Sequence, residues 1–160
     1  MIVALSALLA LQALTPPVDT VAVLSAAMER SRLVHAFEGK VAGFEASRRV
    51  PGSTRLEPVD PSLQSDLATR FGMVPMSHAD AVKCDDFTPG RDLRSRSCEI
   101  SGADVLIGAV LNDVGEDSAV VTVSVLTPHR NSIFSTSITY ELVRIDRQWT
   151  VSQNLSQGSS

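Results

Sequence analysis

The C-terminal third of the chain, residues 118–154, alternates apolar and polar side chains over long stretches. Small apolar residues fall on one face from Ser118 to Thr127, and a similar alternation runs from Ile133 to Ile145. A period of two with many β-branched residues predicts strands. With the apolar run Asp104–Leu111 and a last strand that begins at Trp149, the pattern predicts a four-stranded antiparallel meander with one apolar face.

The apolar face of this meander must be covered. Burial of four side chains such as Phe134, Ile138, Leu142 and Trp149, at ~1.5–3 kcal/mol each, contributes roughly 10 kcal/mol. That gain is comparable to the net stability of a whole domain. We therefore expect an α+β fold, in which N-terminal helices pack on the four-stranded antiparallel sheet.

The upstream half carries the signals of those helices. Val18–Phe37 has helical periodicity and is followed by Gly39, a residue typical of helix ends. Asp60 precedes a compact apolar stripe as a helix cap, and Gly72 follows that stripe as a stop. Between the two helices, the segment Lys40–Pro51 fits either a second short helix or a strand.

Length and composition indicate one globular domain, which we place at residues 15–160. The chain has 160 residues, of which 44% are hydrophobic and 20% charged. Its formal net charge of −4 argues against nucleic acid, whose phosphates would be repelled.

Residues 1–14 resemble a signal peptide. The run Ile2–Leu14 has no charged residue. It is shorter than the ~20 residues that a membrane-spanning helix needs, and its length suits the apolar region of a secretory signal. We expect an exported protein, periplasmic or secreted, with no membrane span after signal removal. A buried N-terminal helix is the alternative.

Cys84 and Cys98 are the only two cysteines. An even number of cysteines in an exported chain predicts a disulfide bond between them. A metal site formed by His78, Asp80, Cys84 and Asp85 is the alternative, but the paired ligand spacings of zinc sites are absent from the sequence. We predict the disulfide, and no metal or cofactor.

The sequence contains no phosphate-binding glycine loop, zinc-protease helix motif or nucleophile elbow. The best candidate for an acid/base pair is His78 with Asp80. Ser77 gives these residues a simpler interpretation, because a serine at this position is typical of a capped helix start.

The segment Tyr140-Glu-Leu-Val-Arg-Ile-Asp-Arg-Gln-Trp149-Thr-Val151 resembles the last hairpin of the NTF2-like (SnoaL-like) superfamily. There a strand that ends near a charged turn is followed by Trp-x-Val. The resemblance implies a cone-shaped α+β fold, in which helices close one side of a curved sheet around a pocket. Phe134, Tyr140 and Trp149 are the residues that we expect to line such a pocket.

Two hypotheses of function follow. The first is an exported, non-enzymatic module that binds a small apolar ligand or a protein partner, and the absence of a recognisable acid/base cluster favours it. The second is an NTF2-like enzyme that catalyses proton transfer or dehydration on a small apolar substrate. This enzyme requires a buried carboxylate or histidine near Tyr140.

Overall fold

A computed structural model describes residues 19–37, 39–85, 97–130 and 132–160. The predicted signal peptide, residues 1–14, lies outside these ranges. The helices are α1 (Thr20–Arg30), α2 (Arg32–His35), α3 (Pro61–Arg70) and α4 (His78–Ala81). The strands are β1 (Ala42–Arg49), β2 (Leu56–Pro58), β3 (Val74–Pro75), β4 (Val82–Cys84), β5 (Cys98–Ile100), β6 (Val105–Val114), β7 (Ser118–His129), β8 (Ser132–Ile145) and β9 (Gln148–Ser159).

Seven strands form one mixed sheet in the order β2-β1-β6-β7-β8-β9, with β3 also paired to β1. Strands β6 to β9 pair antiparallel, as the alternation predicts. The predicted α+β class is nevertheless wrong. The protein is mostly β, with a seven-stranded mixed sheet and only short helices in place of N-terminal helices on a four-stranded sheet.

Strand β1 is the element that changes the fold class. It occupies most of the ambiguous segment Lys40–Pro51 and pairs in parallel with β6, so that Phe44 lies opposite Ile107. Ala42, Phe44 and Ala46 are buried and face the core, whereas Glu45 and Ser47, which alternate with them, are more exposed. Alanine has a high helix propensity, whereas the alternation favours a strand. The two signals conflict, and the local sequence was therefore ambiguous.

The long helix predicted for Val18–Phe37 is divided at Ser31. Asp19 caps the start of α1 by accepting a hydrogen bond from the backbone N–H of Ala22. Ser31 then adopts an extended conformation that ends α1, and its buried hydroxyl accepts a hydrogen bond from the N–H of Leu33 to start α2. A serine that caps a helix in this way competes with the continuous helix.

Helix α3 confirms the start and end signals predicted from the sequence. Asp60 caps it, Pro61 is its first residue, and Gly72 follows its end with a φ of 66°. Gln64 of this helix also binds the edge of β1: its side chain donates to the carbonyl of Phe44 and accepts from the N–H of Ala46. The amide thus takes the place of a strand between β2 and β3.

The main core lies between the helices and one face of the sheet, where α1 contacts β6, β7, β8 and β9. Residues from both layers are buried together in one cluster. Among those with no exposed surface are Val23, Leu24, Met28, Phe44, Leu67, Ile107, Val121, Val123 and Leu142.

A two-stranded ribbon of β4 and β5 lies on the opposite face. Its strand β5 contacts β7 and β8, which are already paired on both sides, so the ribbon must lie against a face of the sheet. Leu106 points away from Ile107 and is still only 1% exposed, which shows that this second face is covered there. The predicted disulfide is confirmed, since Cys84 and Cys98 are bonded directly across the ribbon.

No helix in the described part of the chain is long and apolar enough to cross a membrane.

We expect Leu142→Ala to lower the free energy of unfolding by about 2–5 kcal/mol, because Leu142 is fully buried and its truncation leaves a cavity. Leu56→Ala is the matched control, since Leu56 also lies in the main sheet but is 45% exposed. Its expected cost is within about 0.5 kcal/mol. Urea denaturation of both variants tests the placement of the core, and equal losses would contradict it.

Candidate functional site

A cleft of about 300 Å³ opens where the helices meet the beginning of β1 and β6. This volume is at the lower end of the ~300–1,000 Å³ that small-molecule sites occupy. Its walls come from the ends of α2 and α3, from the segments that follow them, and from the sheet. The lining residues are Val34, His35, Phe37, Gly39, Lys40, Ala42, Arg70, Phe71, Gly72, Met73 and Ile107.

The floor of the cleft is apolar and belongs to the core. Ile107 has no exposed surface, and Ala42 and Val34 are 7% and 8% exposed. Phe71 and Met73 are partly buried and pack against the same core cluster. A ligand that entered the cleft would therefore place apolar groups on a surface that is already formed, which is the usual construction of a small-molecule site.

Two glycines shape the entrance of the cleft. Gly39 and Gly72 have φ angles of 83° and 66°, in the left-handed region that glycine adopts without strain. Gly72 directly follows the cap of α3, where such a residue turns the chain out of the helical path, and Gly39 lies in the segment after α2. Because α2 and α3 end at the same place, the segments that follow them form two sides of one cleft.

Among the described residues that line the cleft, the ionisable side chains are all basic: His35, Lys40 and Arg70. Arg70 forms an ion pair with Glu29, with 2.8 Å between the guanidinium nitrogen and the carboxylate oxygen. The ring Nε2 of His35 lies 2.9 Å from the carbonyl oxygen of Glu29. Arg70 and His35 also lie in the last turns of their helices, where positive charge offsets the helix dipole.

Lys40 is the cation best placed for a ligand. Its ammonium lies 5.8 Å from the ring centroid of Phe37, another residue of the lining. No carboxylate within the described residues forms an ion pair with it. The cleft thus combines an apolar floor with a cation at its rim, an arrangement that suits an apolar molecule with one negative charge.

A larger cleft of about 550 Å³ lies at the opposite ends of β1 and β6. Its polar groups bind one another. Arg48 pairs with Glu57 at 3.6 Å, and the guanidinium of Arg49 donates to the side-chain oxygen of Asn112. Since these groups already have partners, a ligand would have to replace existing contacts. We therefore regard the smaller cleft as the better candidate.

The three aromatic residues predicted to line a pocket lie in different surroundings. Tyr140 is 2% exposed and belongs to the core cluster, opposite Val121 of β7. Phe134 is 44% exposed near the start of β8. Trp149 lines a separate groove of about 370 Å³ beside α1, where the guanidinium carbon of Arg144 lies 5.8 Å from its ring centroid. None of the three lines the cleft between α2 and α3.

The position of Tyr140 bears on the enzymatic hypothesis, which requires an ionisable group beside it. The ring lies in an apolar cluster that includes Val121 and Leu142. That hypothesis therefore stays a prediction from the sequence, and no described contact of Tyr140 gives it support.

His78 and Asp80 form a helix start. Ser77 caps α4: its hydroxyl accepts from the N–H of Asp80 and donates to the Asp80 carboxylate at 2.6 Å. The backbone N–H of His78 donates to the carboxylate of Glu45 at 2.9 Å. Both residues are exposed, and these contacts have the form of a capping interaction.

The alternative metal site loses one ligand to the disulfide, because a bonded Cys84 has no thiolate to offer. Within the described ranges, no group of three or more His, Cys, Asp or Glu side chains is placed to hold a metal ion.

Most residues of the cleft were not predicted as site residues from the sequence, although some of them lie in recognisable local patterns. His35 lies at the edge of the apolar helix stripe, and Gly39 and Gly72 were predicted as helix stops. Nothing in the sequence indicated that the two stops would meet. Lys40 and Met73 have no local pattern that marks them as site residues.

No family model, curated protein or solved structure matches this chain.

Helix α3 ends at Arg70, a residue of the cleft, and the start of this helix gives the protein a predictable response to acid. The Ser62 hydroxyl, followed by the Ser62 backbone N–H, donates to the Asp60 carboxylate and lowers the pKa of Asp60. A lowered pKa in the folded state stabilises the protein above the unfolded-state pKa. This stabilisation is lost as the pH falls through the folded-state value.

We expect Asp60→Asn to flatten this part of the pH dependence, because asparagine can cap the helix but does not titrate. The measurement is urea denaturation of both proteins from neutral pH down to the acid limit of folding. Parallel stability curves for the two proteins would contradict the role assigned to Asp60.

Proposed function

We propose that this protein is an exported, non-enzymatic binding module for a small amphipathic carboxylate. The apolar part of the ligand lies against Val34, Phe71 and Met73, and its carboxylate pairs with Lys40. The observation that carries the proposal is the lining of the cleft, in which an apolar floor meets side chains that, among the described residues of the lining, are all basic where they are ionisable.

The sign of the charge at the cleft supports a negatively charged ligand. The whole chain has a formal net charge of −4, yet the ionisable side chains among the described lining residues are basic. Since Glu29 pairs with Arg70, Lys40 supplies the local positive charge, which attracts anions to that place. The apolar floor then selects anions that carry a hydrocarbon or aromatic part.

Two further observations support export and the position of the site. A disulfide bond is typical of an oxidising, extracytoplasmic environment, and we propose the periplasm or secretion. The resemblance of residues 140–151 to NTF2-like proteins implies a ligand site between helices and sheet, and the cleft lies between helices and sheet.

Isothermal titration calorimetry with straight-chain carboxylates from six to ten carbons tests the proposal. We expect affinity to rise about fourfold per added methylene, at ~0.8 kcal/mol each, until the chain outgrows the cleft. Octanol and octylamine are the ligand controls. Octanol should bind more weakly than octanoate, and octylamine more weakly still, because it carries a positive charge to a basic rim.

The matched protein variants are Lys40→Gln and Lys83→Gln, which remove the two lysines of the chain in turn. Lys83 lies on β4, outside the cleft. We expect Lys40→Gln to weaken octanoate binding about tenfold, equivalent to about 1.4 kcal/mol, and Lys83→Gln to leave it unchanged. Equal effects of both variants, equal affinity for octanoate and octylamine, or no binding by the wild type would refute the proposal.

A further inference from the structure

The two edges of the main sheet differ in a way that bears on assembly. At one edge, β2 has only three residues, one of which is Pro58. Its Glu57 pairs with Arg55 at 2.7 Å and with Arg48 at 3.6 Å. Short length, proline and charge are the features by which proteins prevent an edge strand from pairing with another chain. This edge is closed to association.

The other edge is β9, which has twelve residues and, among the described strands, pairs only with β8. No proline and no charged residue occurs from Thr150 to Ser160. Residues 152–159 are exposed, and Leu155 retains 48% of its surface. The pairing of β9 with β8 shifts its register twice, at positions between Thr139 and Leu142 of β8. Residues 156–159 of β9 lie beyond both shifts and pair with β8 in regular register.

The hydrogen bonds to β8 show which backbone groups of this segment face outward. Ser160 exchanges both backbone hydrogen bonds with Ser135, at 2.9 Å each. In an antiparallel ladder such pairs alternate with pairs that do not bond to each other. The N–H and C=O groups of Ser159 and Gln157 therefore point away from β8, and a further strand would bond to them.

The segment is held in place on the side of the helices. The guanidinium of Arg32, in α2, donates to the side-chain oxygen of Gln157 at 2.6 Å. On the opposite face, Gly158 lies across from Ser137, and an added Cβ there would meet only the Ser137 hydroxyl at 3.7 Å. The edge is thus positioned in extended form, and small side chains flank it.

We propose that β9 pairs antiparallel with β9 of a second copy of this chain, so that the two sheets join through residues 156–159. A twofold axis at Gly158 places Ser159 opposite Gln157 of the second copy and brings the two Ser159 residues close to each other diagonally across the pair, so like charges at this position would repel. The absence of charged residues from this edge permits two copies to pair with each other. Pairing with a different protein would not require the edge to be uncharged. The outward positions Gln157 and Ser159 supply the bonds between the copies.

The decisive variant is Ser159→Pro, with Ser159→Ala as its matched control. Proline removes the outward N–H of residue 159, which the ladder with β8 does not use, while alanine keeps it. We expect sedimentation equilibrium of the full chain to show a concentration-dependent rise toward twice the monomer mass for the wild type and Ser159→Ala. Ser159→Pro should stay monomeric, with unchanged circular dichroism.

Charge exchange at the same position gives an independent readout. Ser159→Lys and Ser159→Glu should each be monomeric through like-charge repulsion, and an equimolar mixture of the two should dimerise again. A wild-type protein that stays monomeric up to millimolar concentration would overturn the proposal. So would a Ser159→Pro variant that dimerises as the wild type does, or a charge mixture that stays monomeric.

Discussion

Seven consecutive residues of β1 pair in parallel with β6, from Ala42 opposite Val105 to Arg48 opposite Leu111. A parallel pair cannot be closed by a tight turn and needs a long crossover connection. Residues 50–104 form that crossover. They place α3 beside β1 on the side of the helices and carry the β4–β5 ribbon to the opposite face of the sheet. The cleft follows from the same pairing, because the beginnings of the two parallel strands lie together at one end of the sheet, next to the ends of α2 and α3.

The local sequence was sufficient to predict those helices and strands whose signals lie within a few residues of one another. Asp60 and Gly72 delimit α3 because a carboxylate cap and a left-handed glycine act within a few residues. The β-branched alternation from Ser118 onward determines the strands of the meander in the same way. The fold class was missed because it depends on β1, whose alanines favour a helix although its alternation favours a strand, and on a partner about sixty residues away. No local pattern records such a pairing.

The candidate site was hidden for a related reason. Its lining comes from both helix ends and from two strands, and each contribution is ordinary within its own segment. The aromatic residues predicted to line a pocket do not line this cleft. An aromatic side chain on an apolar strand face most often fills the core, as Tyr140 does. The informative feature was the convergence of two helix stops, at Gly39 and Gly72, and this convergence exists only in three dimensions.

The disulfide bond stabilises the smaller of the two sheets in the described part of the chain. The β4–β5 ribbon has two strands of three residues each, and an isolated two-stranded ribbon is only marginally stable in water. Cys84 and Cys98 join its strands directly, with a sequence separation of 14. Closing a loop of this length restricts the unfolded chain by roughly 3 kcal/mol in the chain-entropy model. The disulfide therefore stabilises the ribbon, whereas the core between the helices and the sheet forms from apolar contacts.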